Sequence, residues 1–162
     1  MERGAADATE TSEGAALRVR RVVTGHDLQR RAVILSDEAL PITTRRPGQQ
    51  GCVVWAAQQI PEDNLEPIDG ALRASGTVLT GGIVFRVIRY DAGTSGRMHR
   101  TQSADYAVVL SGSIVLQLED DVEVTLSTGD TLVQRGTAHN WINRGVEPCT
   151  IAFVLVDAQP IV

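Results

Sequence analysis

The sequence predicts an all-β fold made of many short strands. Runs of β-branched and aliphatic residues are interrupted every few positions by Gly, Ser-Gly or acidic pairs, and no long segment has the periodicity of an amphipathic helix. Short strands joined by turns at regular spacing are typical of a β-sandwich or a β-barrel. The chain has 162 residues, which is enough for one domain and short for two, so we expect one such unit.

The predicted strands are apolar runs that end at Gly, Pro, Asp or Ser. Residues 17–24 contain several arginines, and we expect a sheet-edge strand whose basic side chains face solvent. Residues 41–50 contain Pro, Thr-Thr, Arg-Arg and Pro-Gly and are predicted to form a loop. The remaining predicted strands are 32–35, 51–60, 82–90, 97–101, 105–110, 113–118, 122–126, 131–134, 139–143 and 149–156.

Composition narrows the class of protein. At 43% hydrophobic residues the chain can bury a core, and no apolar run approaches the ~20 residues that span a bilayer. A net charge of −5 argues against nucleic acid as a partner, since that requires a basic face. Residues 1–16 are small, polar and acidic, and we expect a disordered tail without a secretory signal. Cys52 and Cys149 have no metal-binding spacing and are expected to be reduced, buried thiols of a cytoplasmic protein.

Two histidines and one carboxylate are the candidates for a functional site. Side chains alternate across a strand, so His99 shares a face with Thr101, and His139 shares a face with Trp141. If His99, Asp105 and His139 all face the interior, a pocket holds two imidazoles and one carboxylate. That ligand set leaves open positions on Fe(II), and Zn or Mn can use similar sets. We therefore predict one divalent metal ion that polarises a substrate oxygen.

The spacing of these residues resembles two motifs of the cupin superfamily. The first motif usually reads G-x5-H-x-H-x3,4-E-x6-G, and the second reads G-x5-P-x-G-x2-H-x3-N. The first is matched here by Gly93-x5-His99-x-Thr101-x3-Asp105-x6-Gly112. The second is matched by Gly129-x6-Gly136-x2-His139-x3-Asn143. Together the motifs extend the resemblance over roughly residues 80–157.

The resemblance implies a double-stranded β-helix, or jelly roll, with its pocket inside the barrel. We expect the cupin barrel core at residues 80–162, preceded by an N-terminal extension at 17–79 that adds strands and loops. Exposed sheet edges and the resemblance together suggest a homodimer.

The sequence departs from the family motifs at the site itself. Thr101 occupies the position of the second histidine, Asp105 replaces a glutamate, and Gln134 occupies the position of a proline. Three interpretations therefore stay open. His99, Asp105 and His139 bind a metal; or the pocket is metal-free and one histidine is a general acid or base whose tautomer Asp105 sets; or all three residues are structural.

Other candidates for the pocket are weaker. Trp141 has the inward parity of His139 and could stack on a planar ligand, while Gln134 and Thr101 offer polar atoms to a substrate. Tyr106 and Arg100 have outward parity. In segment 82–90 two arginines, Arg86 and Arg89, have opposite parity and point to different faces.

We predict a small-molecule enzyme, because few polar atoms converge in an otherwise apolar barrel. The favoured chemistry is metal-assisted decarboxylation, dehydration or cyclisation through an enolate, which is lyase or isomerase chemistry. The alternatives are a metal-dependent dioxygenase and a cupin that binds a ligand without catalysis.

Overall fold

The computed structural model describes residues 16–161, and it contains eleven β-strands and two single 3₁₀ turns, at Gly70–Leu72 and Glu119–Asp121. Residues 1–15 of the predicted disordered tail lie outside the described residues. The strands are β1 (Arg20–His26), β2 (Ala32–Ala39), β3 (Thr43–Arg46), β4 (Gln49–Ala57), β5 (Ile83–Tyr90), β6 (Ser103–Ser111), β7 (Ser113–Leu118), β8 (Glu123–Ser127), β9 (Thr131–Arg135), β10 (His139–Ile142) and β11 (Cys149–Asp157).

The strands form two facing antiparallel sheets and one separate hairpin. The large sheet has the order β3-β4-β5-β11-β6-β9, and the small sheet has the order β10-β7-β8. Strands β1 and β2 pair only with each other. The predicted all-β jelly-roll barrel is thus confirmed, with β3 and β4 extending the large sheet at the edge of β5.

The main hydrophobic core lies between the two sheets. Strand β11 alternates buried and partly buried residues, as a strand with one face on a core must. Buried core side chains come from β5, β6 and β11 of the large sheet and from β7 and β10 of the small sheet. The pocket described below opens within this layer, and most of the side chains that line it are polar, unlike the otherwise apolar interior that the sequence predicted.

Two predicted segments are wrong. Residues 41–50, predicted as a loop, form a hairpin in which β3 is followed by the start of β4, and the turn contains Gly48 with a φ of +72°. Residues 97–101, predicted as a strand, make only a single bridge, between His99 and His139.

The prediction of a solvated basic strand face near the N-terminus is also wrong for one residue. Arg20 is exposed, but Arg21 on the opposite face of β1 is only 4% exposed. Its guanidinium forms ion pairs with Asp69 and Glu38 and therefore ties β1 to the first 3₁₀ turn and to β2. None of the helical turns in residues 16–161 has the length and hydropathy that a membrane-spanning helix requires.

Candidate functional site

A cavity of about 80 Å³ lies between the two sheets. Five predicted site residues line it together: His99, Thr101, Asp105, His139 and Trp141. The large sheet contributes Asp105 from β6, and the small sheet contributes His139 and Trp141 from β10. The inward parity predicted for these strands is therefore observed.

His139 is buried, with 2% of its surface exposed. Its Nδ1 lies 2.9 Å from the carbonyl oxygen of Thr137. A carbonyl can only accept a hydrogen bond, so Nδ1 carries the proton and Nε2 keeps a lone pair. Burial is the largest effect on the pKa of His139 and lowers it, and the nearby His99 lowers it further. The hydrogen bond to Thr137 and the charge of Asp105 raise the pKa but do not outweigh burial. The imidazole is therefore neutral at pH 7 and able to accept a proton.

His99 has the same arrangement on the chain segment before β6. Its Nδ1 donates to the carbonyl oxygen of Arg97 at 2.9 Å, which leaves Nε2 as the acceptor. The ring centroids of His99 and His139 are 4.3 Å apart, and the ring planes meet at 50°. Two imidazoles whose Nδ1 atoms bond to backbone carbonyls thus line one cavity.

Asp105 is 5% exposed, and polar side chains surround its carboxylate. Oδ1 accepts from the Ser103 hydroxyl, and Oδ2 accepts from Gln134 Nε2 at 3.0 Å and more weakly from Thr101 Oγ1 at 3.5 Å. Both histidine Nδ1 atoms bond to backbone carbonyls, so the carbonyls, and not Asp105 as predicted, set the tautomers.

Gln134 lies between Asp105 and His139. Its Nε2 is 3.3 Å from Nε2 of His139 in addition to its bond with Asp105. Its Oε1 is buried and has no hydrogen-bond partner among the described residues. The amide therefore links the carboxylate to the basic nitrogen, but Gln134, predicted as a substrate-binding residue, does not line the cavity.

The predicted metal set does not fit a metal ion as it stands. Within residues 16–161 there is no group of three His, Cys, Asp or Glu side chains arranged to hold one. Nε2 of His139 lies within hydrogen-bond distance of Gln134 Nε2, at 3.3 Å, and both oxygens of Asp105 are engaged by hydrogen bonds. Metal binding therefore stays a prediction.

Trp141 combines a packing contact with a place on the cavity wall. Its ring meets Phe153 edge-on, with centroids 5.5 Å apart, and it meets His139 edge-on at 6.1 Å. The tryptophan on the small sheet and the phenylalanine on β11 thereby hold the two sheets at a fixed spacing beside the histidines.

Arg86 is the site residue that sequence reasoning missed. It lies on β5, is 2% exposed, and lines the cavity. Burial and the nearby charge of Arg45 lower its pKa to about 10. The available signal was parity, because Arg86 shares its face with the cavity residues Ile88 and Tyr90.

A jelly roll with two imidazoles in an internal cavity defines the class of small-molecule cupins, and comparisons with known proteins agree. The family model described as Cupin domain matches residues 86–156. Phomopsin biosynthesis cluster protein D from Diaporthe leptostromiformis is 34% identical over 150 residues, covering 87% of this chain and 79% of that protein. The chain belongs to the cupin superfamily, as its two motifs predicted.

Two further similarities extend this result. Cupin-domain-containing oxidoreductase fogC from Aspergillus ruber is 32% identical over 161 residues, covering 89% of this chain and 75% of that protein. The solved structure of KdgF from Halomonas sp. has a TM-score of 0.52 and 16% identity, covering 74% of this chain and 89% of that one. At that identity the second similarity concerns the fold alone.

Proposed function

We propose that this cupin is an enzyme that moves a proton on a small organic substrate and forms an enolate. The subsequent step would be decarboxylation, dehydration, isomerisation or cyclisation. One observation carries the proposal: the buried imidazole of His139 and the partly buried imidazole of His99 have ring centroids 4.3 Å apart, and the Nδ1 atom of each bonds to a backbone carbonyl, so Nε2 is the nitrogen left for proton exchange. The similarity to a biosynthesis cluster protein supports a role in small-molecule chemistry.

In the proposed mechanism His139 is the general base. Its neutral Nε2 accepts a proton from a carbon next to a carbonyl group, and the electron pair of that C–H bond forms the enolate. The charge of Asp105 favours the imidazolium that results. His99 exchanges a second proton with the substrate oxygen or the leaving group.

The metal-assisted form of this chemistry is the second candidate. Some relatives have the word oxidoreductase in their names, and for this metal-assisted candidate that favours a metal-dependent dioxygenase over a lyase or isomerase. His99 and His139 would be two of the metal ligands. Because Asp105 is engaged elsewhere, the metal-free mechanism agrees better with the hydrogen bonds of the site.

The test is hydrogen exchange into a panel of small ketones and keto acids. Enolate formation in D₂O replaces the C–H next to the carbonyl by C–D, which proton NMR detects. We expect the wild-type protein to accelerate this exchange for a subset of the panel. The His139→Asn variant should lose about 10²–10⁴-fold of the rate. His26→Asn is the matched control, because His26 is exposed on β1 and outside the cavity.

The contrary outcome is also clear. If no compound exchanges faster with the wild-type protein than with His139→Asn, the cupin binds its ligand without catalysis. The non-catalytic alternative would then replace the enzyme.

We also propose a homodimer in the cytoplasm, with a small molecule as ligand and neither nucleic acid nor membrane as partner. Exposed Ile34 and Leu35 on the β1–β2 hairpin support a subunit contact there. The two buried free cysteines, Cys52 and Cys149, support a reducing compartment. Sedimentation analysis tests the dimer, and a monomer at micromolar concentration would contradict it.

A further inference from the structure

The cavity carries positive charge although the protein is acidic. The chain has a net charge of −5, yet four arginines and only one carboxylate line the cavity. The arginines are Arg45, Arg46, Arg86 and Arg97, and the carboxylate is Asp105. Charge of one sign within low-dielectric walls attracts ligands of the opposite sign. The lining therefore favours an anion.

Arg86 is the most deeply buried of these cations. Its Nη2 donates to the carbonyl oxygens of Gly76 at 2.6 Å and Thr77 at 3.0 Å. Its Nε is buried and has no hydrogen-bond partner among the described residues. No carboxylate of residues 16–161 lies within ion-pair distance of its guanidinium, so two neutral carbonyls are its only recorded polar partners there.

Other buried arginines in the chain show what is missing at Arg86. The Arg21 side chain is 4% exposed and is paired with Asp69 and Glu38. The Arg73 side chain is 7% exposed and is paired with Glu66. A buried cation is costly unless an anion compensates it. Arg86 has no carboxylate of residues 16–161 within ion-pair distance, the charge of Asp105 compensates it only from farther away, and its side chain lines a cavity that a ligand can enter.

We propose that Arg86 binds a carboxylate of the substrate, so that the substrate is a small organic acid. This proposal rests on the proposed function, because it assigns the substrate class of the same pocket. The carboxylate would accept hydrogen bonds from the guanidinium, which is the charge-assisted pairing that arginine favours.

The neighbouring residues support a carboxylate rather than a phosphate ester. The cavity is small, about 80 Å³, and Asp105 already places one negative charge in it, so a dianion would meet stronger repulsion. Tyr90 lies four residues after Arg86 on the same face of β5, is 3% exposed, and lines the same cavity. Burial raises its pKa, which keeps its hydroxyl protonated and able to donate to an anion.

The placement of the groups gives the acid an orientation. Arg86 belongs to the large sheet and His139 to the small sheet, and both line one cavity. An acid bound through its carboxylate at Arg86 would therefore present its remaining carbon atoms to the imidazoles. Binding of the carboxylate at Arg86 would thus orient the substrate for proton transfer to His139.

The experiment uses sodium acetate as the probe, with acetamide as its neutral analogue of nearly equal shape. Imidazole NMR signals of the three histidines report binding, and sodium chloride keeps the ionic strength constant. We expect acetate, but not acetamide, to shift the signals of His99 and His139 in a saturable way. His26 is exposed on β1 and serves as the internal control. Equal shifts with acetate and acetamide would overturn the proposal.

Variants then assign the site. We expect Arg86→Met to weaken acetate binding at least about tenfold and Arg86→Lys to restore part of it. Arg20→Met is the control, because Arg20 is exposed and outside the cavity. If Arg86→Met is folded and binds acetate as the wild type does, the proposal is wrong. If Arg86→Met does not fold, two other results decide whether Arg86 binds the carboxylate. These are the comparison of acetate with acetamide and the acetate affinity of Arg86→Lys.

Two further arms separate the alternatives. Orthophosphate is tested as a competitor of acetate. If orthophosphate displaces acetate at a concentration below that at which acetate saturates the site, the carboxylate assignment is wrong. The His139→Asn variant should retain acetate binding while it loses hydrogen exchange. Failure of the proposed catalysis and failure of the carboxylate site are therefore distinguishable.

Discussion

His99 and His139 are joined by their backbones as well as by the proximity of their rings. The N–H of His99 donates to the carbonyl of His139 at 2.9 Å, and the N–H of His139 donates to the carbonyl of His99 at 2.8 Å. This reciprocal bridge connects the segment before β6 to strand β10 without using either side chain. Substitution of one imidazole therefore leaves the backbone position of the other in place.

Stability should decrease in mild acid because of His139. Burial holds its folded-state pKa below the unfolded value, so the unfolded chain binds the proton more readily. This contribution is fully present above about pH 6.5 and is lost as the pH falls below it, with a slope of at most about 1.4 kcal/mol per pH unit. Urea unfolding at several pH values measures the slope.

The slope should be smaller in His139→Gln and unchanged in His26→Gln, since His26 is exposed. The comparison uses slopes rather than absolute stabilities, so a general loss of packing does not affect it. Equal slopes in wild type and His139→Gln would show that His139 is not the titrating group.

Chelation should leave the hydrogen-exchange activity intact. The reason is that Asp105 is engaged by Ser103 and Gln134 and does not complete a metal site with the histidines. Activity is measured before and after dialysis against EDTA, with elemental analysis of both samples. Two results together would establish a metalloenzyme instead. The first is a loss of activity on dialysis that Zn, Mn or Fe(II) restores. The second is stoichiometric metal in the wild type and in His26→Ala but not in His139→Ala.

The adjacent residues Arg20 and Arg21 should differ strongly in their contribution to stability. Removal of one partner from a buried ion pair costs about 3–5 kcal/mol, and we expect Arg21→Met to fall at the lower end because Asp69 is 34% exposed. The pair of Arg20 with Asp37 is exposed, so Arg20→Met should cost much less than Arg21→Met. Urea denaturation checks both, and similar losses would contradict the assignment.

Two glycines of the first cupin motif should respond differently to alanine. Gly93 and Gly112 both have positive φ, +71° and +75°, so each substitution incurs about 1–2 kcal/mol of backbone strain. A Cβ at Gly93 meets no atom within 4 Å, whereas a Cβ at Gly112 collides with the carbonyl oxygen of Pro148. Thermal unfolding should therefore show a larger loss for Gly112→Ala, and equal losses would argue against this close contact.

Motif spacing and strand parity were sufficient to predict that His99, Asp105 and His139 meet in one pocket. Asp105 faces the interior and Tyr106 is 51% exposed, because consecutive side chains of a strand must point to opposite faces. His99 also reaches the pocket although its segment is not a strand, since one bridge to His139 fixes it. Asn143, the last residue of the second motif, accepts a hydrogen bond from the N–H of Gly145 at 2.9 Å and so holds the turn that follows β10.

The sequence was not sufficient for the electrostatics of the pocket. Parity separated Arg86 from Arg89 but did not indicate which one faces inward, since β5 has apolar residues on both faces. The position of Gln134 between Asp105 and His139 depends on contacts between β6, β9 and β10, and no local pattern reports these. Strand β3 was missed because Pro47 and Gly48, which form the turn between β3 and β4, made the whole segment 41–50 look like a loop.

The edge-on packing of Trp141 against Phe153 has a consequence for the range of acids that the pocket accepts. These rings separate the strand that bears the base from the sheet that bears the arginine. The volume of the side chain at position 153 therefore sets the distance between the groups that bind the two ends of the ligand. We expect relatives with a smaller or larger residue there to select shorter or longer chains without any change in their histidines.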